Sequence, residues 1–189
     1  MSRSNPKEIE IKFRLEDVAS MGRKLRRAGF RLTTRRTHEQ NTLYDLQGSP
    51  LRQRGEILRL RKYGNEWELT HKSKGKIGKH KVRVENQTKV EDGEKMEAII
   101  LALGYKPLFR YEKFRASWTD GKGAVVLDET PIGNFGEIEG PARWIDRVAR
   151  LLEIAPSDYI TKSYGELFLE WKEQHQSPAE HMTFNDIRR

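Results

Sequence analysis

The sequence predicts an α+β fold: a closed, roughly eight-stranded antiparallel β-barrel, or tunnel, with helices packed outside it. Three observations lead there. Several segments alternate charged and apolar residues with the two-residue period of a strand. The order strand, helix, three strands occurs twice along the chain. Five of the strands carry formal charges at i and i+2, opposite an apolar face that only the amphipathic helices can cover.

Each element has a local reason. Glu8-Ile9-Glu10-Ile11-Lys12-Phe13 alternates strictly, so Glu8, Glu10 and Lys12 share one face. Residues 17–28 place Val18, Met21, Leu25 and Ala28 at helical spacing, with Gly29 as the stop. Strands are expected at 41–45, 56–62 and 66–72, the last two joined by a hairpin turn at Tyr63-Gly64-Asn65. The second half repeats the order with a strand at 81–90, then a helix at 92–103 between Asp92 as N-cap and Gly104 as stop. Strands at 110–118, 124–128 and 136–139 follow. Pro141 opens a helix with Trp144, Ile145, Val148, Leu151 and Leu152 on one side, and another helix lies around 161–171. These elements place a tunnel domain at 1–172. From Glu173 the periodicity stops, so 173–189 is expected to be a mobile polar tail.

Composition narrows the class. A chain of 189 residues can enclose one substantial core, and four Trp, six Tyr and seven Phe supply apolar material for it. The absence of cysteine excludes a disulfide framework, a thiolate zinc site and a cysteine nucleophile. The start of the chain has no apolar leader pattern, which leads to the expectation of a cytoplasmic protein. The longest apolar run, at 98–103, is far below the roughly 20 residues that span a bilayer, so no membrane partner is expected. A net charge of +8 suits either a basic surface or a site for an anion.

The charges choose between these readings by where they point. Glu8/Glu10/Lys12, Arg59/Arg61, Lys81/Arg83/Glu85, Lys113/Arg115 and Glu137/Glu139 repeat at i and i+2. If the sheet closes, they face its interior, where unpaired charge loses hydration and needs water or a ligand. A polyanion accompanied by a divalent metal uses both signs, because Arg and Lys grip phosphate oxygens while carboxylates hold Mg²⁺. A salt-bridged, solvated sheet face is the competing account. Asp128 ends the apolar run 124–127 as a further ligand, or else as a turn-initiating residue. His38, His71, His80, His175 and His181 show no metal-ligand spacing.

Taken together, Glu8-x-Glu10-x-Lys12, Leu58-Arg59-Leu60-Arg61, Leu69-Thr70-His71-Lys72, Arg83-x-Glu85, Lys113-x-Arg115 and the run from Leu127-Asp128 to Glu137-Ile138-Glu139-Gly140 resemble the CYTH family, the triphosphate tunnel metalloenzymes. The resemblance spans about 8–169. It implies an eight-stranded tunnel that takes a small-molecule triphosphate, such as ATP or inorganic triphosphate, with Mg²⁺ or Mn²⁺. By position it implies Glu8, Glu10, Asp128, Glu137 and Glu139 on the metal side. Lys12, Arg59, Arg61, Lys72, Lys81, Arg83, Lys113 and Arg115 would hold phosphate, with Lys162 closing the tunnel unless it is a helix-surface lysine.

Two reactions share such an apparatus: hydrolysis at the terminal phosphorus, and attack of the ribose 3′-oxygen of ATP on the α-phosphorus to give cyclic AMP and pyrophosphate. Both rest on in-line geometry and charge neutralisation. Glu137, Glu139 and Lys72 are the candidates at the reacting atoms. From Asn41-Thr42-Leu43-Tyr44-Asp45 through Arg61 the chain most resembles the bacterial class IV adenylyl cyclase branch, with an inorganic, nucleoside or thiamine triphosphatase as the alternative. The thiamine branch has Trp two residues before its Arg-x-Arg pair, where this chain has Ile57. A nucleic-acid or polyphosphate binder without turnover fits less well, because carboxylates interleave with the bases and Trp144 and Trp171 lie on apolar helix faces. No nucleic-acid partner is therefore expected. A homodimer is compatible with the sequence but not required by it.

Overall fold

A computed structural model describes residues 7–188; the N-terminal residues 1–6, read above for a leader, and Arg189 at the end of the tail lie outside it. The first half runs β1 (Lys7–Leu15), α1 (Val18–Arg27), β2 (Arg31–Asp45), α2 (Pro50–Arg54), β3 (Ile57–Tyr63), β4 (Glu66–Lys72) and the two-residue β5 (Lys76–Ile77). The second runs β6 (Lys81–Val90), α3 (Gly93–Ala102), β7 (Lys106–Thr119), β8 (Ala124–Thr130), β9 (Gly133–Glu139) and α4 (Ala142–Leu151). A 3₁₀ turn at Pro156–Asp158, α5 (Tyr164–Gln174) and α6 (Phe184–Ile187) complete the chain.

The strand order β1-β9-β8-β7-β2-β3-β4-β6 closes through β1–β6 pairing, with β5 laid along β6. The ring is thus the expected eight-stranded antiparallel barrel. Each half contributes a strand, a helix and a three-strand meander, but the first strands are exchanged: β1 pairs with β9 of the second half, and β6 with β4 of the first. Neither half completes its sheet alone.

Outside the barrel, Ile11, Phe13, Val125, Leu127 and Ile138 bury against Leu25 of α1 and Trp144, Ile145 and Val148 of α4. Gly136 leaves the room for this packing, since a Cβ there would stand 2.1 Å from the Phe13 ring. The helix ends behave as their sequences suggest: the Asp17 side chain accepts from Ala19 N, Asp92 from Lys95 N, and Gly29 and Gly104 adopt positive φ past the last turns. A separate cluster under α3 joins Tyr44, Leu60 and Ile100.

β2 departs from expectation by beginning at Arg31, ten residues before the strand read from the sequence. Its first part, Arg31-Leu32-Thr33-Thr34-Arg35-Arg36, has almost no apolar residues and flanks only β7, with register shifts between Leu32 and Thr34 and between Thr34 and Thr37. That edge holds through backbone pairing and shows no buried-face pattern.

The expected mobile tail is instead docked. On one side β6 starts opposite Glu10, so the backbone of Lys12 is free to pair with Ile160. Across the barrel, β8 covers β7 only from Phe114, so Arg110 O and Glu112 N bond to Met182. The segment between these bridges, including α5, fills the gap. Its core comprises Tyr111, Phe135, Tyr164, Leu167, Phe168 and a fully buried Met182. Strand edges that need partners and this apolar cluster together hold the segment. Met182→Ala is therefore expected to destabilise the protein by about 3 kcal/mol in urea unfolding, the usual scale for truncating a buried methionine; a surface-like change of a few tenths would mean that the tail is not docked in solution.

Candidate active site

Strand parity builds the site. On β1 the residues Ile9, Ile11 and Phe13 face the outer helices, so Glu8, Glu10 and Lys12 face inward. By the same alternation Arg59 and Arg61 enter from β3, Lys72 from β4, Lys81, Arg83 and Glu85 from β6, Lys113 and Arg115 from β7, and Glu137 and Glu139 from β9. All of them line one cavity of about 390 Å³, completed by Leu43, Ile57, Gln87, Tyr111 and the start of α5 at Ser163, Tyr164 and Gly165. The i and i+2 charges are thus brought together as the sequence implies.

The charges compensate one another. Lys72 Nζ donates to both Glu8 oxygens at 2.9 Å and lies 2.7 Å from Glu85. Arg61 pairs with Glu68 at 2.7 Å, while Arg59 donates to Thr70 Oγ1 at 3.2 Å. Lys12 and Arg115 both bond to Glu137. Burial works against the Glu137 charge, but Lys12, Arg115 and Lys113 outweigh it and hold its carboxyl well below the ordinary range. Lys12 is held above its ordinary value: burial opposes its charge, and Glu137 with Glu10 overcomes that. The Tyr164 ring carries Lys12 Nζ at 4.2 Å and Lys113 Nζ at 4.6 Å from its centroid.

One corner is left under-neutralised. Glu10 and Glu139 are register partners on β1 and β9, and Glu8 shares the face two residues on. Glu139 stays in contact with solvent, yet loss of hydration and repulsion from Glu8, Glu10 and Glu137 push its carboxyl up to about 7. Lys81, 3.8 Å from Glu10, is itself held below its ordinary value by burial and by Arg83. A corner of crowded carboxylate oxygens short of positive charge fits a hard divalent cation. The fit is one of residue type and face, because among the described residues no three His, Asp or Glu side chains are already grouped at metal-binding distance.

Two expected site residues lie elsewhere. Asp128 is fully buried and does not line the cavity. Arg115 Nε and Nη2 donate to its two oxygens at 2.6 Å, Lys113 at 3.0 Å, and Tyr164 Oη at 2.6 Å. With both oxygens taken by the two bases and the tyrosine, it clamps the bases from behind the cavity wall. Lys162 is exposed and pairs with Glu170 on the outer side of α5, so its neighbours Ser163 and Tyr164 meet the cavity in its place. Sequence reasoning missed Glu39, Glu68, Tyr111 and Tyr164 as members of the site. Glu66-x-Glu68-x-Thr70 carried a period-two signal, but Glu39 fell just before the assigned start of its strand.

The CYTH domain profile matches residues 6–167. A Methanocaldococcus jannaschii protein named as a candidate adenylate cyclase is 28% identical over 172 residues, which cover 85% of this chain and 97% of that protein. A Vibrio parahaemolyticus structure described as a candidate adenylate cyclase has a TM-score of 0.78 at 19% identity, covering 88% of this chain and 99% of its own. A Hippeastrum structure, described as a candidate adenylyl cyclase with a dominant triphosphatase activity, has a TM-score of 0.64 at 21% identity and covers 86% of this chain and 95% of its own. The match to the family profile runs from the first barrel strand into the first turn of α5, the elements that build the cavity. The chain belongs to the CYTH domain family, whose members are metal-dependent enzymes of the adenylyl cyclase or triphosphatase kind.

Proposed function

We propose that the protein is a Mg²⁺- or Mn²⁺-dependent triphosphatase that hydrolyses the terminal phosphoryl group of a small triphosphate. The observation that carries this reading is the cavity lining, where eight bases meet five carboxylates and few apolar side chains remain. A net positive cavity with an acidic corner suits a polyphosphate bound beside a metal.

Glu8, Glu10 and Glu139 would hold the metal, which when bound supplies neutralisation of phosphate charge and a more acidic water. Glu137 is occupied by Lys12 and Arg115 and keeps those two bases in place. Arg59, Arg61, Lys113 and Arg115 grip phosphoryl oxygens and offset the charge that develops as the bond to the leaving oxygen breaks. Lys72 Nζ is divided between Glu8 and Glu85, so a phosphate oxygen that takes over this donor frees Glu8. Arg83 has no ion-pair partner among the described residues, and its buried Nε has no hydrogen bond, which leaves its guanidinium to an incoming phosphate. Of the two candidate bases, Glu137 is taken up by Lys12 and Arg115, which leaves Glu139 on the side of the cavity where the metal and its water would lie. A second reading, cyclisation of ATP, is favoured by the uncharged flank of Leu43, Ile57 and Tyr111, where a base could lie, and by the name of the Methanocaldococcus relative.

Turnover of inorganic tripolyphosphate and of ATP, with orthophosphate, pyrophosphate and cyclic AMP resolved, tests the reading. Metal-dependent orthophosphate release is expected, falling by about 100-fold or more in Glu10→Gln, as loss of a metal-side carboxylate implies. Cyclic AMP with pyrophosphate as the main products would replace the first reading with the second.

The acidic corner also sets a pH dependence. Because the folded protein keeps the Glu139 proton from the ordinary carboxyl value of 4.5 up to about 7, metal-free stability attributable to this group declines as pH rises through that window. Thermal melts of the wild type should show this decline relative to Glu139→Gln. Added Mg²⁺ should raise the wild-type melting temperature more above the window than below it, and equal shifts on both sides would remove Glu139 from the metal site.

A further inference from the structure

Two buried carboxylates lie behind the bases that the proposed function assigns to phosphate, and they act on those bases in different ways. Asp128 holds Lys113 and Arg115 with direct hydrogen bonds of 2.6 to 3.0 Å. Glu39, on β2, is as fully buried and likewise absent from the cavity lining, which sets it behind the bases. Its distances to the bases are longer: 3.5 Å to Lys113, 3.8 Å to Arg115 and 3.9 Å to Arg61. The side-chain hydrogen bond it accepts is from Asn41 Nδ2 at 3.0 Å, on Oε1, and Oε2 has no hydrogen-bond partner. A carboxylate with an orphaned oxygen among three cations does not orient them by directional bonds. It acts through its charge.

We infer that Glu39 is a resident counter-anion: it stabilises Lys113, Arg115 and Arg61 against mutual repulsion when the cavity is empty, and by doing so weakens their hold on a bound polyphosphate. The inference rests on the triphosphate reading of the same cavity. Burial opposes the Glu39 charge, yet Lys113, Arg115 and Arg61 keep its carboxyl far below the ordinary range, so it stays ionised through the pH range of a working enzyme. An occupied cavity then contains two competing anions for one set of bases. Polyphosphate binds more weakly than the bases alone would allow, and its products leave more readily. A buried anion with this role trades affinity for release, as turnover requires when tight product binding would limit kcat.

The test is titration calorimetry with inorganic tripolyphosphate under chelator, which prevents metal-dependent turnover, on wild type, Glu39→Gln and Glu39→Asp. The Gln variant should bind tripolyphosphate about tenfold more tightly, the scale of removing one charge a short distance from the ligand at an intermediate dielectric. Its ligand-free melting temperature should fall, while the rise produced by saturating tripolyphosphate should exceed that of the wild type. The Asp variant keeps the charge and should bind as the wild type does. If the Gln variant is unfolded alone, tripolyphosphate must restore its native circular dichroism, and failure to do so overturns the inference. Equal or weaker binding by a folded Gln variant also overturns it and makes Glu39 a packing residue. Absence of tripolyphosphate binding by the wild type removes the inference together with the triphosphate reading, which separates the two failures.

Discussion

Closure of the sheet through β1 and β6 is the constraint on which the rest depends. Once the ring is complete, every second side chain of each barrel strand faces one shared interior, and a charge there is answered by another strand's charge, by water or by a ligand. The exterior takes the apolar residues, which sets the helix positions: α1 and α4 cover one flank and α3 another. The interior divides by sign. Most of the bases, with the clamps Asp128 and Glu137 and the counter-charge Glu39, occupy one part, while Glu8, Glu10 and Glu139 crowd at a corner where positive charge is short. Affinity for an anion and affinity for a cation are thus consequences of one closure.

How much of this is legible in the sequence depends on which force holds each element. Strands whose outer face is apolar, such as Glu8-Ile9-Glu10-Ile11-Lys12-Phe13, announce both their period and the direction of their charges, and these residues line the cavity as expected. The first part of β2 is held by backbone bonds to β7 along a charged edge, which leaves no apolar rhythm to detect, and Glu39 was overlooked with it. The docking of residues 160–182 is likewise a property of unpaired edges on β1 and β7, created by the lengths of other strands. Local spacing cannot express that. Asp128 shows a subtler limit: a charge at a strand end was recognised as functional, but its role was decided by what surrounds it. Two bases and a tyrosine reach it first, so it holds side chains that face the cavity and does not face it itself.

The ion pairs within the cavity bear on function as well as on folding. A purely basic lumen would bind polyphosphate tightly but would be destabilised by repulsion when vacant, whereas full internal pairing leaves a ligand little to gain. The observed arrangement lies between these limits. Lys72 is shared between two carboxylates and Arg115 among three, Lys81 is loosely paired, and Arg83 is unpaired among the described residues. Graded pairing of this sort lets an entering anion exchange partners in steps, without exposing a bare cluster of charge.

The exchange of first strands between the two halves has a consequence for how the chain is made. β1 is synthesised early, yet its partners are residues 81–84 and 134–139, so it waits without a sheet on the order of ten seconds at ordinary synthesis rates. An unpaired strand bearing Ile9, Ile11 and Phe13 is a template for association with other nascent chains. Its alternate positions are Glu8, Glu10 and Lys12, charges that oppose such pairing until the ring can close. The side chains that form the cavity in the finished barrel are therefore also the gatekeepers that keep its first strand solitary during translation.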